Sequence, residues 1–147
     1  PNGQAPGTEK FAYKLDWLAH LTAWLWREVS ATPELCLIGD YNIAPTDADA
    51  HPDWKEEIHV SPPERAAFAA LEALGLKDVF RQFEHPEKSF SWWDYRMNAF
   101  RRNFGLRIDH VLASDPLAQR CTACTIDTST RSLERPSDHA PVIATFN

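Results

Sequence analysis

Four consecutive apolar residues, Leu35-Cys36-Leu37-Ile38, sit between Pro33 and the pair Gly39-Asp40. A run this short reads as a buried strand, and a continuously apolar strand needs cover on both faces. Cover for one face is legible just upstream. Thr8 is placed to cap a helix whose positions Phe11, Leu15, Leu18, Thr22, Leu25 and Val29 recur at helical spacing. Trp17, Trp24 and Trp26 widen that stripe, and Pro33 closes the helix. The expectation is a helix packed on a sheet.

Residues 44–60 are rich in Pro, Asp and His and read as a loop. Ser61-Pro62-Pro63-Glu64 starts a second helix, with Ser as cap, Pro in the first turn and Glu three residues on. That helix carries Ala66, Phe68, Leu71 and Leu74 and stops at Gly75. Strands are predicted at Phe90 to Trp93, Arg107 to Ala113, Cys121 to Ile126 and Pro141 to Phe146. A short helical turn is predicted at Asp115-Pro116. Strands outnumber helices and the helices come early, which predicts an α/β sandwich, predominantly antiparallel. The 147 residues suit one domain with one core, and no repeat or linker divides them.

No apolar run reaches the length of a membrane span, so no membrane partner is expected. Three cysteines leave one unpaired in any disulfide scheme, which fits a reducing, cytoplasmic setting. Cys121-x-x-Cys124 lacks a second ligand pair for zinc, and on a strand its two thiols face opposite ways. A net charge of −6 argues against coating nucleic acid by bulk electrostatics. Locally, Lys88, Arg96, Arg101, Arg102 and Arg107 face only Asp94 between residues 88 and 107, a surplus suited to phosphates.

Four short blocks can carry chemistry. In Gly39-Asp40-Tyr41-Asn42, a strand delivers Asp40 to its end, and Asn42 follows on the same side if the chain stays extended. The carboxylate can orient or deprotonate water and the amide can donate to a developing phosphoryl charge. A plain strand-end turn uses the same residues. In Ser137-Asp138-His139, adjacent Asp and His can share a metal or a phosphate, or simply cap a turn. In Gly105-Leu106-Arg107-Ile108-Asp109-His110, strand alternation puts Arg107 with Asp109 on one face. Asp109 then either orients His139 by accepting its ring N–H or pairs with an arginine. In Phe90-Ser91-Trp92-Trp93-Asp94-Tyr95-Arg96, the tryptophans form a wedge or pocket wall beside cations, or one of them belongs to the core.

Order and content together resemble one family. Gly39-Asp40-Tyr41-Asn42-Ile43-Ala44-Pro45, Ser91-Trp92-Trp93-Asp94-Tyr95-Arg96, Gly105-Leu106-Arg107-Ile108-Asp109 and Pro136-Ser137-Asp138-His139-Ala140-Pro141-Val142 are similar to the exonuclease III branch of the endonuclease/exonuclease/phosphatase superfamily. The first and last blocks are shared across the superfamily. The Trp-rich block and Gly-Leu-Arg-Ile-Asp point to the abasic-site nucleases.

The resemblance implies a four-layer α/β sandwich of the DNase I-like type, of which residues 1–147 form the C-terminal part of a single domain. It implies a Mg²⁺- or Mn²⁺-dependent nuclease that incises duplex DNA 5′ to abasic sites and trims 3′ ends. Asp40 would activate the attacking water, Asn42 would stabilise the pentavalent phosphoryl state, and Asp109 would orient His139 on the scissile phosphate. Asp138 would join Asp40, Asn42 and His139 in holding the metal. Trp92, Trp93, Leu106 and Ile108 would line a pocket for the flipped-out abasic sugar, and Arg96 and Asn98 would grip the backbone. Two other functions use the same motifs: a superfamily phosphatase or phosphodiesterase acting on small-molecule or lipid phosphates, and a non-catalytic DNA-binding module.

The resemblance also implies an N-terminal half with a metal-ligand glutamate and a tyrosine just before a Pro-Asn-Gly loop. Pro1-Asn2-Gly3 looks like that loop. The expectation is one incomplete sheet, a weak metal site, little activity in the isolated chain and a monomer when the half is supplied.

Overall fold

The computed structural model describes residues 1–147 in full. Helix α1 spans Glu9–Ala31, and its first turn is closed by Thr8 Oγ1, which accepts from the Phe11 N–H at 3.1 Å. Its buried side chains are Phe11, Lys14, Leu18 and Leu25, a stripe at three- and four-residue steps. Trp17, Trp24 and Trp26 do not widen that stripe. They are 42%, 48% and 69% exposed, because they project about a quarter-turn of helix or more away from it. Helix α2, Pro62–Glu72, starts as predicted, with Ser61 and Glu64 capping each other, and ends before Gly75 in a left-handed turn.

Three strands make the first sheet: β1 (Cys36–Asp40), β2 (Leu76–Asp78) and β3 (Asp109–Ser114), in the order β1-β3-β2, all antiparallel. Alternation along β3 divides two cores. Leu112 joins Leu18, Leu25, Phe68 and Leu71 beneath the helices, whereas Val111 and Ala113 face the other way, with Val79, Phe80 and Cys124. After the short helix α3 (Asp115–Ala118), strands β4 (Cys121–Ile126) and β5 (Val142–Phe146) form an antiparallel second sheet on that side. Beyond it, Phe90, Trp93, Ala99 and Ala140 make a further small core. Each fully buried Leu or Phe contributes about 1.5–3 kcal/mol of transfer free energy, so the helix-side core is the main anchor.

Three further expectations change. β1 is covered on one face only: Leu35 and Leu37 pack under α1, while Cys36 is exposed and Ile38 is 70% exposed, beside an edge with no neighbouring strand. Phe90 to Trp93 is not a strand. Its N–H groups go to Leu106 O and Asp138 O, and the Ala140 N–H returns to Ser91 O, so it stitches three segments instead of pairing with one. Finally, β3 begins at Asp109 rather than Arg107. The Arg107 N–H donates to Asp49 O at 2.8 Å, and its guanidinium is buried between the Asp49 and Asp78 carboxylates. Arg107 is therefore removed from the cationic surface.

Candidate active site

Antiparallel register places Asp40, the last residue of β1, directly opposite Asp109, the first of β3. Two carboxylates thus meet where the sheet ends. The third group arrives on the chain entering β5: the His139 ring Nδ1 lies 2.8 Å from Asp109 Oδ2. That oxygen also accepts the Ser91 hydroxyl at 2.7 Å, while Ser91 Oγ accepts the N–H groups of Ile108 and Asp109, each at 3.1 Å. Asp109 therefore orients His139, and the predicted alternative, an arginine partner for Asp109, does not occur. With Nδ1–H donated to Asp109, the other ring nitrogen, Nε2, faces Asp40 Oδ2 at 3.9 Å. That spacing is too long for a hydrogen bond and leaves the two groups facing each other across a gap.

Electrostatics follow from this geometry. The bond to Asp109 is the main reason that His139 takes a proton more readily than a free imidazole, against the penalty of its partial burial. Burial raises the Asp40 pKa above the ordinary carboxylate range, and the Asp109 charge adds to this, while the Asn42 N–H opposes it.

Asn42 meets Asp40 by a different route from the predicted extended chain. The backbone turns left-handed at Asn42, φ 52°, which asparagine tolerates better than most residues. The turn brings the Asn42 N–H to Asp40 Oδ1 at 2.8 Å and its carboxamide to Asp40 Oδ2 at 3.0 Å. The same amide nitrogen donates to Pro1 O at 3.2 Å. Asp40, Asn42, Asp109 and His139 are thus brought together.

One ligand atom each from Asp40, Asp109 and His139 lie within 4.8 Å of one another. Two hard carboxylate oxygens suit Mg²⁺ or Mn²⁺, which complete their shells with water and phosphate oxygens. Asp138 stands outside this cluster, its carboxylate accepting the Trp92 indole N–H at 3.0 Å. The site opens into a cleft of about 840 Å³ between the sheets, lined also by Ile38, Val111 and Val142.

The predicted DNA-contacting residues separate. Trp92 is half-buried, its ring 6.2 Å from Trp54 and 6.0 Å from His59. Trp93, Leu106 and Ile108 are 2%, 0% and 1% exposed, so they build the wall from within and offer no surface to a sugar. The Trp93 indole is turned inward by its bond to Asn103 Oδ1 at 3.0 Å. Arg96 is exposed and clamped by Asp94 at 2.6 Å, and Asn98 is exposed in a left-handed turn.

Sequence reasoning missed Ser91, Lys14, His59, Glu64 and Arg131. Lys14 carried a signal, a charge within an apolar helical stripe. Arg131 gave none: its cation lies over the rings of Trp93, Tyr95 and Phe100 and donates to Ser137 O, bracing the segment that carries His139.

The Endonuclease/Exonuclease/phosphatase family profile matches residues 3–139. The chain is 38% identical to exodeoxyribonuclease III of Haemophilus influenzae, over 99% of this chain and 58% of that protein. Among solved structures, a 3′-5′ exonuclease (NExo) of Neisseria meningitidis superposes with a TM-score of 0.94 at 46% identity, again over 99% and 58%. An AP endonuclease of Archaeoglobus fulgidus superposes at 0.91 with 37% identity, over the same shares. The sheets and helices described above are thus part of a DNase I-like α/β sandwich, and the chain spans just under three-fifths of the length of these relatives.

Proposed function

The chain belongs to the endonuclease/exonuclease/phosphatase family, and from that premise we propose that it carries the catalytic residues of a DNA-repair phosphodiesterase. The reaction is hydrolysis of a DNA backbone bond 5′ to an abasic site, with trimming of 3′ ends as the second activity. One observation carries the reading: a carboxylate-oriented imidazole, Asp109–His139, faces a second carboxylate, Asp40, across 3.9 Å.

In this reaction Asp40 takes a proton from the attacking water, whose oxygen bonds to phosphorus as the bond to the leaving 3′-oxygen breaks and that oxygen takes a proton from solvent. His139, whose hold on a proton is strengthened by Asp109, donates from Nε2 to a phosphoryl oxygen. Asn42 holds Asp40 in place, and turning its amide from Pro1 O toward the phosphate would add a second donor there. Asp40 with the neighbouring Asp109 carboxylate would hold a divalent cation, Mg²⁺ or Mn²⁺, which would supply charge neutralisation for the phosphoryl group. The half-exposed indole of Trp92 and the ring of Trp54 offer apolar surface to an extruded abasic sugar, which has no base to unstack. Exposed Arg96, Arg101 and Arg102 face the backbone phosphates. The partner within the fold is the remainder of the family domain, which would add strands along the open edges of β1 and β5.

A substrate panel tests the substrate class. The chain, supplied with the N-terminal portion of a relative, is offered a duplex with one abasic analogue, an undamaged duplex and a sphingomyelin vesicle. Mg²⁺-dependent incision of the abasic duplex in preference to both others is expected. Preferential hydrolysis of the lipid would replace the reading with that of a lipid phosphodiesterase.

A further inference from the structure

Below the site, two side chains from distant segments converge on one backbone oxygen. Lys14 Nζ, from α1, donates to Asn42 O at 2.6 Å, and the His59 ring Nδ1 lies 2.8 Å from the same oxygen. Lys14 also donates to Glu64 Oε1 at 2.5 Å, and Glu64 Oε2 accepts the hydroxyl of Ser61 at 2.6 Å. Lys14 and Glu64 have no exposed side-chain surface.

This arrangement is costly as packing. A buried ion pair is often no more stable than apolar residues of the same size, and a leucine would continue the α1 stripe without desolvating a charge. Burial does lower the Lys14 pKa, with the bond to Glu64 opposing the shift. What the pair supplies, and an apolar residue cannot, is a donor in the interior aimed at a carbonyl. That carbonyl belongs to Asn42, whose φ of 52° is only one of the conformations open to asparagine, so its surroundings select it. His59 is itself left-handed, φ 70°, and is backed by Gly3, where a Cβ would stand 2.1 Å from the His59 ring.

We propose that Lys14, Glu64 and His59 are positioning residues that hold the left-handed turn at Asn42 and thereby fix its amide groups on Asp40. None of them touches the reacting groups; they act through the Asn42 backbone. The inference rests on Asp40 and Asn42 working as described above. It makes the geometry of the site depend on the packing of α1 against the cap of α2.

The test reads backbone geometry rather than cleavage, so it can fail while the nuclease reading stands, and the reverse. A positive φ brings the amide proton close to Hα, so Asn42 in the isotope-labelled chain should give a strong intraresidue amide–Hα Overhauser effect. In K14M/E64L and in H59A that signal should fall several-fold, while the amide shifts of Val111 and Leu112 stay in place. His59→Asn, which keeps a donor near the Nδ1 position and tolerates the left-handed turn, should restore it. If K14M/E64L does not fold, the comparison of H59A with H59N decides. An unchanged Asn42 signal in either folded loss variant, or no recovery in H59N, would overturn the proposal.

Discussion

At the scale of single residues, the site is built by partners both distant and near in sequence. His139 is oriented by Asp109, Asp109 by Ser91, and Asp40 by Asn42. A neighbouring histidine shows the opposite design. His110 is fully buried on the helix face of β3, with Nε2 against Ile43 O at 2.8 Å, and burial holds its pKa down to about 4. An unfolded histidine titrates at about 6.5, so between pH 6.5 and 4 the unfolded chain binds the extra proton. Stability should therefore fall with pH across that window, by about 3 kcal/mol in all, and this contribution should level off below it. His110→Gln keeps a donor and cannot titrate, so its urea-unfolding free energy should lack this part of the slope. Equal slopes in the two proteins would show that His110 is not held neutral. Asp40, Asn42, Asp109 and His139 were legible because their motifs, each ambiguous alone, together resemble one family in order and content. Ser91 was not, because a serine in a Trp-rich block gains meaning only from what packs against it, and Lys14 showed only as a charge in an apolar stripe, with no sign of its partners.

At the scale of elements, local rules located both long helices, since caps and apolar spacing act within a few residues. Thr8, Ser61 and Gly75 bound α1 and α2 as read from sequence. Strand ends were less legible, because pairing partners lie 70 or so residues away, as Cys36 does from Ala113. The clearest case is Arg107, which reads as the start of a strand but leaves the ladder to bind Asp49 and Asp78. This ion cluster ties the loop before α2 to the end of β2 and to the entry of β3. Arg107→Met should cost about 3–5 kcal/mol, because it leaves two buried carboxylates without their main partner. Chemical denaturation measures this, and a loss below about 1 kcal/mol would mean that the cluster relaxes into solvent.

At the scale of the whole molecule, the fold has two unequal sheets of three and two strands, and the site lies where they diverge. Ile38 and Ile143 are exposed on strands flanking the cleft, while Trp17 and Trp24 are exposed on α1. A two-stranded sheet is marginal alone, and open apolar edges invite partners. Sequence similarity indicated the family, but not which surfaces stay open, since that depends on which strands end up at the edges. The proposed catalytic residues therefore sit at the rim of a structure that the remainder of the family fold would extend. The most direct test is incision of a duplex carrying one abasic analogue, by this chain alone and by this chain mixed with the N-terminal portion of a relative. The account predicts little or no incision alone, Mg²⁺-dependent incision 5′ to the lesion on mixing, and its loss in Asp40→Ala. Full activity of the isolated chain, or activity on mixing that survives Asp40→Ala, would contradict it.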